Sequence, residues 1–297
     1  MTIIKFIHAA FLEGDASDIE DRLKASMRAL RKKKLSSDET VAAAPKSDIS
    51  QADDLNDDLT QTVSLSYNDM KKIRRRADTL FQRRMTLSGF AHLKPEEIKR
   101  LSVFKAGANL TPPGDEDWAD EVAAALHAEM PWMAPATEAA WHALRRSAQR
   151  GDVGLRLPPL LLNGPAGIGK SVWARRLAEM CTVPSCVIEV GAGSAGFRIA
   201  GLERGWSSAA PGRPLETILQ TGIANPIIVV DEVCKMQATN SDKGQGLPMA
   251  NTMLALLEPA TNTAWECPCY RMKFDMSHIS WVMTSNDAEK VPMPLLN

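Results

Sequence analysis

No apolar run in this 297-residue chain approaches the roughly 18 residues needed to span a bilayer, so no membrane-spanning helix is expected. The N-terminal stretch Ile3-Ile4-Lys5-Phe6-Ile7 is short, lacks a basic n-region and runs into Glu13 and Asp15, which argues against a signal peptide. An excess of charge of one sign is also missing. The formal net charge is −1, which provides no global attraction to nucleic acid or anionic membrane. Cysteine is sparse: five residues, an odd number at irregular spacing, argue against a disulfide framework. Cys267-Pro268-Cys269 is a close pair, yet no second pair or His cluster completes a zinc site, so buried or free thiols are expected there. Together these absences point to a cytoplasmic chain without a membrane partner. A hydrophobic content of 44% is enough for a packed core.

What is present centres on one run. Gly164-Pro165-Ala166-Gly167-Ile168-Gly169-Lys170-Ser171 fits G-x-x-x-x-G-K-[ST], with the strand-like Leu160-Leu161-Leu162 before it and the amphipathic segment 172–178 after it. A phosphate-binding loop requires that order. Glycines let the backbone curl so that successive N–H groups face the phosphates, and the following helix N-terminus adds partial positive charge. In this reading residues 164–172, ending at Val172, contact the triphosphate; Lys170 reaches the β- and γ-phosphates and Ser171 ligates Mg²⁺. The expected ligands are ATP and Mg²⁺.

Along the chain the texture changes. Residues 1–35 read as an N-terminal helical segment, with Ile19, Leu23, Met27 and Leu30 at helical spacing. Residues 36–62, rich in Ser, Asp, Thr and Ala, read as a disordered acidic linker. Residues 63–112 read as a helical extension. Ser66 to Asp69 has the form of a capping box, opening a helix whose apolar side is Met70, Ile73, Ala77, Leu80 and Phe81, and a short helix begins at Pro95. The cluster Lys71-Lys72-Ile73-Arg74-Arg75-Arg76, with Arg83-Arg84, offers two readings: a nucleic-acid or acidic-partner contact, or the solvated side of an amphipathic helix. The solvated side is the favoured one.

Residues 113–297 read as the catalytic core. Helices over 115–129 and 136–150 come first, and Trp118, Trp132 and Trp141 are expected as core aromatics. Short apolar runs at 157–163, 187–190, 227–231 and 281–286 then alternate with helical lengths. That alternation predicts an α/β fold, a P-loop NTPase parallel sheet with helices on both faces.

Ile227-Ile228-Val229-Val230 delivers Asp231 and Glu232 at the carboxyl end of a buried strand. Asp231 is thereby expected beside the Mg²⁺ held by Ser171, and Glu232 polarises a water for in-line attack. Asn286, ending the strand Trp281–Ser285, either hydrogen-bonds the γ-phosphate or the attacking water, or is simply a turn residue.

These blocks carry a resemblance. Asn225 to Met236, Leu254 to Pro259, Phe274 to Ser277, Thr284-Ser285-Asn286 and Val291 to Leu296 resemble the AAA+ ATPase module of the Lon protease family, over about residues 155–297. The resemblance implies that Lys170 and Ser171 belong to Walker A, Asp231 and Glu232 to Walker B, and Asn286 to sensor 1. Cys234 departs from it, standing where the family usually has Asp. The family also threads polypeptide through a ring by an aromatic on a loop, and Trp206 in Gly205–Gly212 occupies that place; packing on its own domain is the alternative. Nothing in the chain resembles the family's Ser–Lys peptidase domain. The chain ends at Asn297, before an arginine and a small helical lid that the resemblance would place next, so a fragment and a truncated chain with impaired hydrolysis both stand.

The expectation is an ATP hydrolase that remodels or translocates a protein partner as a homo-oligomeric ring, a hexamer when complete. Two rivals remain: an ATP-binding interaction protein with little turnover, and a nucleic-acid-stimulated ATPase.

Overall fold

A computed structural model describes residues 2–39, 64–190, 195–206, 208–239 and 249–296. The chain forms two compact units, Ala10–His92 and Met1–Ala9 with Leu93–Asn297. The sequence reading draws its boundaries instead at 35, 62 and 112. Most of its acidic linker, 40–62, lies outside the described residues, and 36–39 continue a helix.

The smaller unit is a helical pair, α1 (Ala16–Glu39) and α2 (Tyr67–Ser88). The capping box read from sequence closes the first turn of α2, where the Ser66 N–H donates to the Asp69 carboxylate at 3.0 Å. Gly89 ends the helix at φ 84°, a left-handed conformation that costs glycine nothing. Of the stripes expected from spacing, Ile19 of α1 and Ile73 and Ala77 of α2 are buried and Leu23, Met27, Met70, Leu80 and Phe81 are half-buried, whereas Leu30 is exposed. Arg31 and Asp69 form an ion pair at 2.5 Å between the two helices. Phe11, before α1, and Phe90, after α2, meet as tilted rings with centroids 5.0 Å apart.

The larger unit opens with a strand rather than a helix. β1 (Thr2–Ile4) pairs antiparallel with β2 (Ala108–Leu110), beyond α3 (Pro95–Ser102). Phe6 is fully buried between Phe104 and Phe274, at 5.3 and 5.4 Å. Of the N-terminal stretch Ile3–Ile7, Phe6 and Ile7 are therefore anchored in the core of this unit, whereas Ile3 and Lys5 are exposed. α4 (Glu116–Glu129) and α5 (Ala134–Arg150) follow.

Next comes the central sheet: β3 (Leu160–Asn163), β4 (Ser185–Glu189), β5 (Ile227–Asp231) and, after two short strands, β8 (Ser280–Ser285). Its order is β3-β8-β5-β4, all parallel. β3 begins only at Leu160, because Pro158 and Pro159 have no N–H to donate; the N–H of Leu157 goes to the Ser280 hydroxyl instead. α6 (Lys170–Met180) packs on one face with α4 and α5, where Trp173, Leu177, Leu126 and Leu144 close over Ile227, Val229 and Val282. Ile228 and Val230 point to the other face and are equally buried. α7 (Ala195–Ala200) and α8 (Arg213–Thr221) follow β4, against which both pack. α9 (Met249–Leu257) and α10 (Pro259–Asn262) precede an antiparallel hairpin of β6 (Trp265–Cys267) and β7 (Met272–Phe274). Sequence reasoning missed this hairpin because three-residue strands carry almost no periodic signal.

Of the three tryptophans expected in the core none is fully buried: Trp118 and Trp141 are half-buried, and Trp132 departs furthest. It is 62% exposed in a 3-10 turn after Pro131, and the neighbouring Met133 takes the buried position. Among the described residues no helix is long and apolar enough to cross a membrane.

Candidate active site

The loop between β3 and α6 has the conformation its glycines imply. Gly167 and Gly169 sit at φ 82° and 94°, where a side chain would strain the backbone. The Gly164 N–H donates to the Ser285 carbonyl at 3.1 Å, fixing the start of the loop to the end of β8. At the far side the exposed Trp132 donates its indole N–H to the Ile168 carbonyl at 2.8 Å. Pro165, Ala166 and Gly167 stay exposed and Val172 is 51% exposed on the first turn of α6.

Lys170 is only 7% exposed. Its ammonium donates to the Gly164 and Pro165 carbonyls at 2.7 and 2.9 Å and to Asn286 Oδ1 at 2.8 Å. These acceptors are all neutral. Burying a cation with neutral partners is costly, and an arriving polyanion would relieve that cost. Ser171 Oγ donates to Asp231 Oδ1 at 2.8 Å.

The carboxyl ends of β5 and β8 complete the crevice, where parallel-sheet proteins place their ligands. Thr284 was not singled out by sequence reasoning. It is buried, donates its hydroxyl in a very short hydrogen bond to Asp231 Oδ1, and accepts the Glu232 N–H at 3.0 Å. Its signals were its place in the Thr284-Ser285-Asn286 block and a polar residue after the apolar Trp281–Met283, neither of which gave it a role. Glu232 itself adopts φ 61°, unusual for a residue with a side chain, and its carboxylate pairs with Lys235 at 2.6 Å. Hydrogen bonding to Glu232 raises the Lys235 ammonium above its ordinary pKa.

Cys234 lies in the same corner. Burial pushes its thiol up, but the backbone at Asn286 and Asp287 and the Ser285 hydroxyl favour the thiolate more, and the net pKa is lowered. Cys181 and Cys267, by contrast, are pushed up to about 12 by burial. Cys267 and Cys269 are buried free thiols, and among the described residues no group of three or more His, Cys, Asp or Glu could hold a metal.

The structure thus pairs Lys170 with Asn286 and the adjacent Ser171 with Asp231, and ties Glu232 to the second pair through Thr284. Trp206 is elsewhere. It is 69% exposed on a loop closed by pairing of Gly201 with Pro211, and that loop is tied by Arg204 to Glu97 at 2.9 Å.

With this geometry in view, the family comparison is decisive for the second half of the chain. Residues 160–297 match the ATPase family associated with various cellular activities (AAA). This segment is similar to an AAA module. It is similar to a mitochondrial Lon protease homolog of Yarrowia lipolytica, 33% identical over 138 residues, which is 46% of this chain and 11% of that protein. Lon protease 1 of Sorangium cellulosum is 33% identical over 153 residues, 52% of this chain and 18% of its own length. The Lon protease of Metamycoplasma arthritidis is 31% identical over 139 residues, 47% and 16% respectively. The chain therefore spans less than a fifth of the length of these curated relatives, and the likeness is confined to the AAA module.

Proposed function

We propose that the AAA module binds ATP with Mg²⁺ and hydrolyses it, and that hydrolysis drives the remodelling or translocation of a protein partner by a ring of these chains. The observation that carries the reading is the convergence at the carboxyl edge of the sheet. Lys170 bonds Asn286 from the neighbouring strand, and Ser171 bonds Asp231.

The residues fit the ligands. A buried ammonium with neutral partners, inside a loop of left-handed glycines at a helix N-terminus, suits a triphosphate. The hydroxyl of Ser171 and the carboxylate of Asp231 are adjacent hard oxygens of the kind Mg²⁺ prefers. When bound, Mg²⁺ would neutralise charge on the phosphate oxygens. Lys170 would neutralise more of it, moving from its carbonyl partners to the β- and γ-phosphates. Thr284 would hold the Asp231 carboxylate and the backbone of Glu232 in place. Glu232 would take a proton from the attacking water as the γ-phosphorus–oxygen bond to ADP breaks, and Asn286 would orient that water. Trp206, exposed and borne on a loop tied at its base, would grip the polypeptide partner, and the proposed assembly is a homo-oligomeric ring, most simply a hexamer.

Steady-state phosphate release from Mg·ATP, with Glu232→Gln as the blank, tests the reading. Release well above the blank supports it. Tight ATP binding with no release above the blank would reduce the chain to a nucleotide-binding module.

A further inference from the structure

A dense group of cations lies N-terminal to residues 160–297, on α2. This 22-residue helix carries Lys71, Lys72, Arg74, Arg75, Arg76, Arg83 and Arg84 against only Asp69 and Asp78. Asp69 is already paired with Arg31. All seven cations are exposed, and among the described residues none forms an ion pair. Lys72, Arg76 and Arg83 lie along one line at helical spacing with Thr79, and Lys71, Arg75, Gln82 and Thr86, with the single acid Asp78 among them, lie along the next. The buried Ile73 and Ala77 are on the other side. From Lys71 to Arg83 the stripe runs for about 18 Å at 1.5 Å per residue.

We propose that this face docks on the phosphate backbone of a duplex nucleic acid, without reading its sequence. The composition of the face selects among polyanions. A protein partner needs an apolar or aromatic anchor at the centre of its interface, and the stripe has none; the exposed apolar residues of α2, Tyr67 and Leu87, are at its first residue and in its last turn. A membrane surface needs an apolar face to insert, and that face of α2 is spent against its own unit. Single strands need aromatic platforms for the bases, which the stripe also lacks. What remains suits phosphates: three arginines able to grip them bidentately, two lysines, and interleaved Thr79, Gln82 and Thr86 as neutral hydrogen-bonding groups. The proposal does not depend on ATP hydrolysis, so its test omits nucleotide.

The test is fluorescence anisotropy of a labelled 20-base-pair duplex of arbitrary sequence titrated with the 297-residue chain at 50–200 mM NaCl. If the five cations of the two lines contact phosphates, log K falls with log[NaCl] at a slope of about −4.5, roughly 500-fold across that range. Replacing Arg75, Arg76 and Arg83 together by Gln, a good helix former, should make the slope shallower by about 2.7 and weaken binding. The same three positions as Lys should keep the slope. No binding at 50 mM NaCl, an unchanged slope in the Gln variant, or loss of binding in the Lys variant equal to that in the Gln variant would each overturn the proposal. So would tighter binding to a single strand, to polyglutamate of equal charge or to phosphatidylserine vesicles.

Discussion

At the scale of single residues, burial and hydrogen bonding divide groups of the same chemical type. Five cysteines of one kind in the sequence become different reagents in the fold. Cys234, half-buried with donors around its sulfur, has a lowered pKa, whereas Cys181 and Cys267 are pushed up to about 12. Iodoacetamide at pH 8 should therefore label Cys234 first and leave Cys181 and Cys267 untouched in the native protein. Peptide mapping checks this, and labelling of Cys267 ahead of Cys234 would contradict it. Lys170→Ala should abolish ATP binding, read by fluorescent-nucleotide titration. Thr284→Val keeps the shape of the side chain but removes the hydroxyl that serves both Asp231 and Glu232. It should lower turnover by about ten- to a hundredfold, a loss comparable with that of one positioned hydrogen bond, while ATP binding persists.

At the scale of elements, much of the helical pattern was legible in the sequence and much of the short-strand pattern was not. The capping box at Ser66, the parallel strands and the glycine loop each follow from local chemistry that operates over a few residues. β1 could not be read in that way. Three residues of strand acquire their identity only from β2, more than a hundred positions away. The packing that β1 brings is substantial, and Phe6→Ala should cost the larger unit about 3–4 kcal/mol in a denaturant titration. Asn225 is similar. Fully buried, it accepts the Thr111 N–H at 3.0 Å and donates to the Thr111 and Leu155 carbonyls, both at 2.9 Å, stitching β5 to the segments before β3. Asn225→Leu leaves the Thr111 N–H and the Leu155 carbonyl buried without partners, while the Thr111 carbonyl keeps the Leu155 N–H at 2.8 Å, and should cost about 2–6 kcal/mol in a denaturant titration.

The helical pair carries its own pH signature. Hydrogen bonding and charge attraction from Arg31 hold the Asp69 carboxyl below its usual pKa. A depressed folded-state pKa contributes stability above the unfolded value of about 3.9, and the contribution fades as pH falls through the depressed value. Thermal melts followed by circular dichroism should show this acid-side loss, and Asp69→Asn should remove that part of the pH dependence.

For the whole molecule, turnover per chain is the quantity that reports assembly. A module whose sites are completed by neighbours should show specific activity that rises with protein concentration, accompanied by a mass increase in light scattering when Glu232→Gln is loaded with Mg·ATP. A flat specific activity with monomeric mass would remove the ring from the proposal.

The sequence by itself determined which chemical groups are available and in what order: a phosphate loop between a strand and a helix, two acids ending a second apolar strand, an amide ending a third. Those assignments depend on spacing, and spacing is written in the chain. Only the tertiary structure decided that Asn286 reaches Lys170, that Thr284 joins Asp231 to Glu232, and that Trp132 leaves the core to bond the loop at Ile168. The physical reason is one of range. Caps, turns and periodicities are settled within a few residues, whereas these contacts join positions 36 to 116 apart and exist only once parallel strands lie side by side.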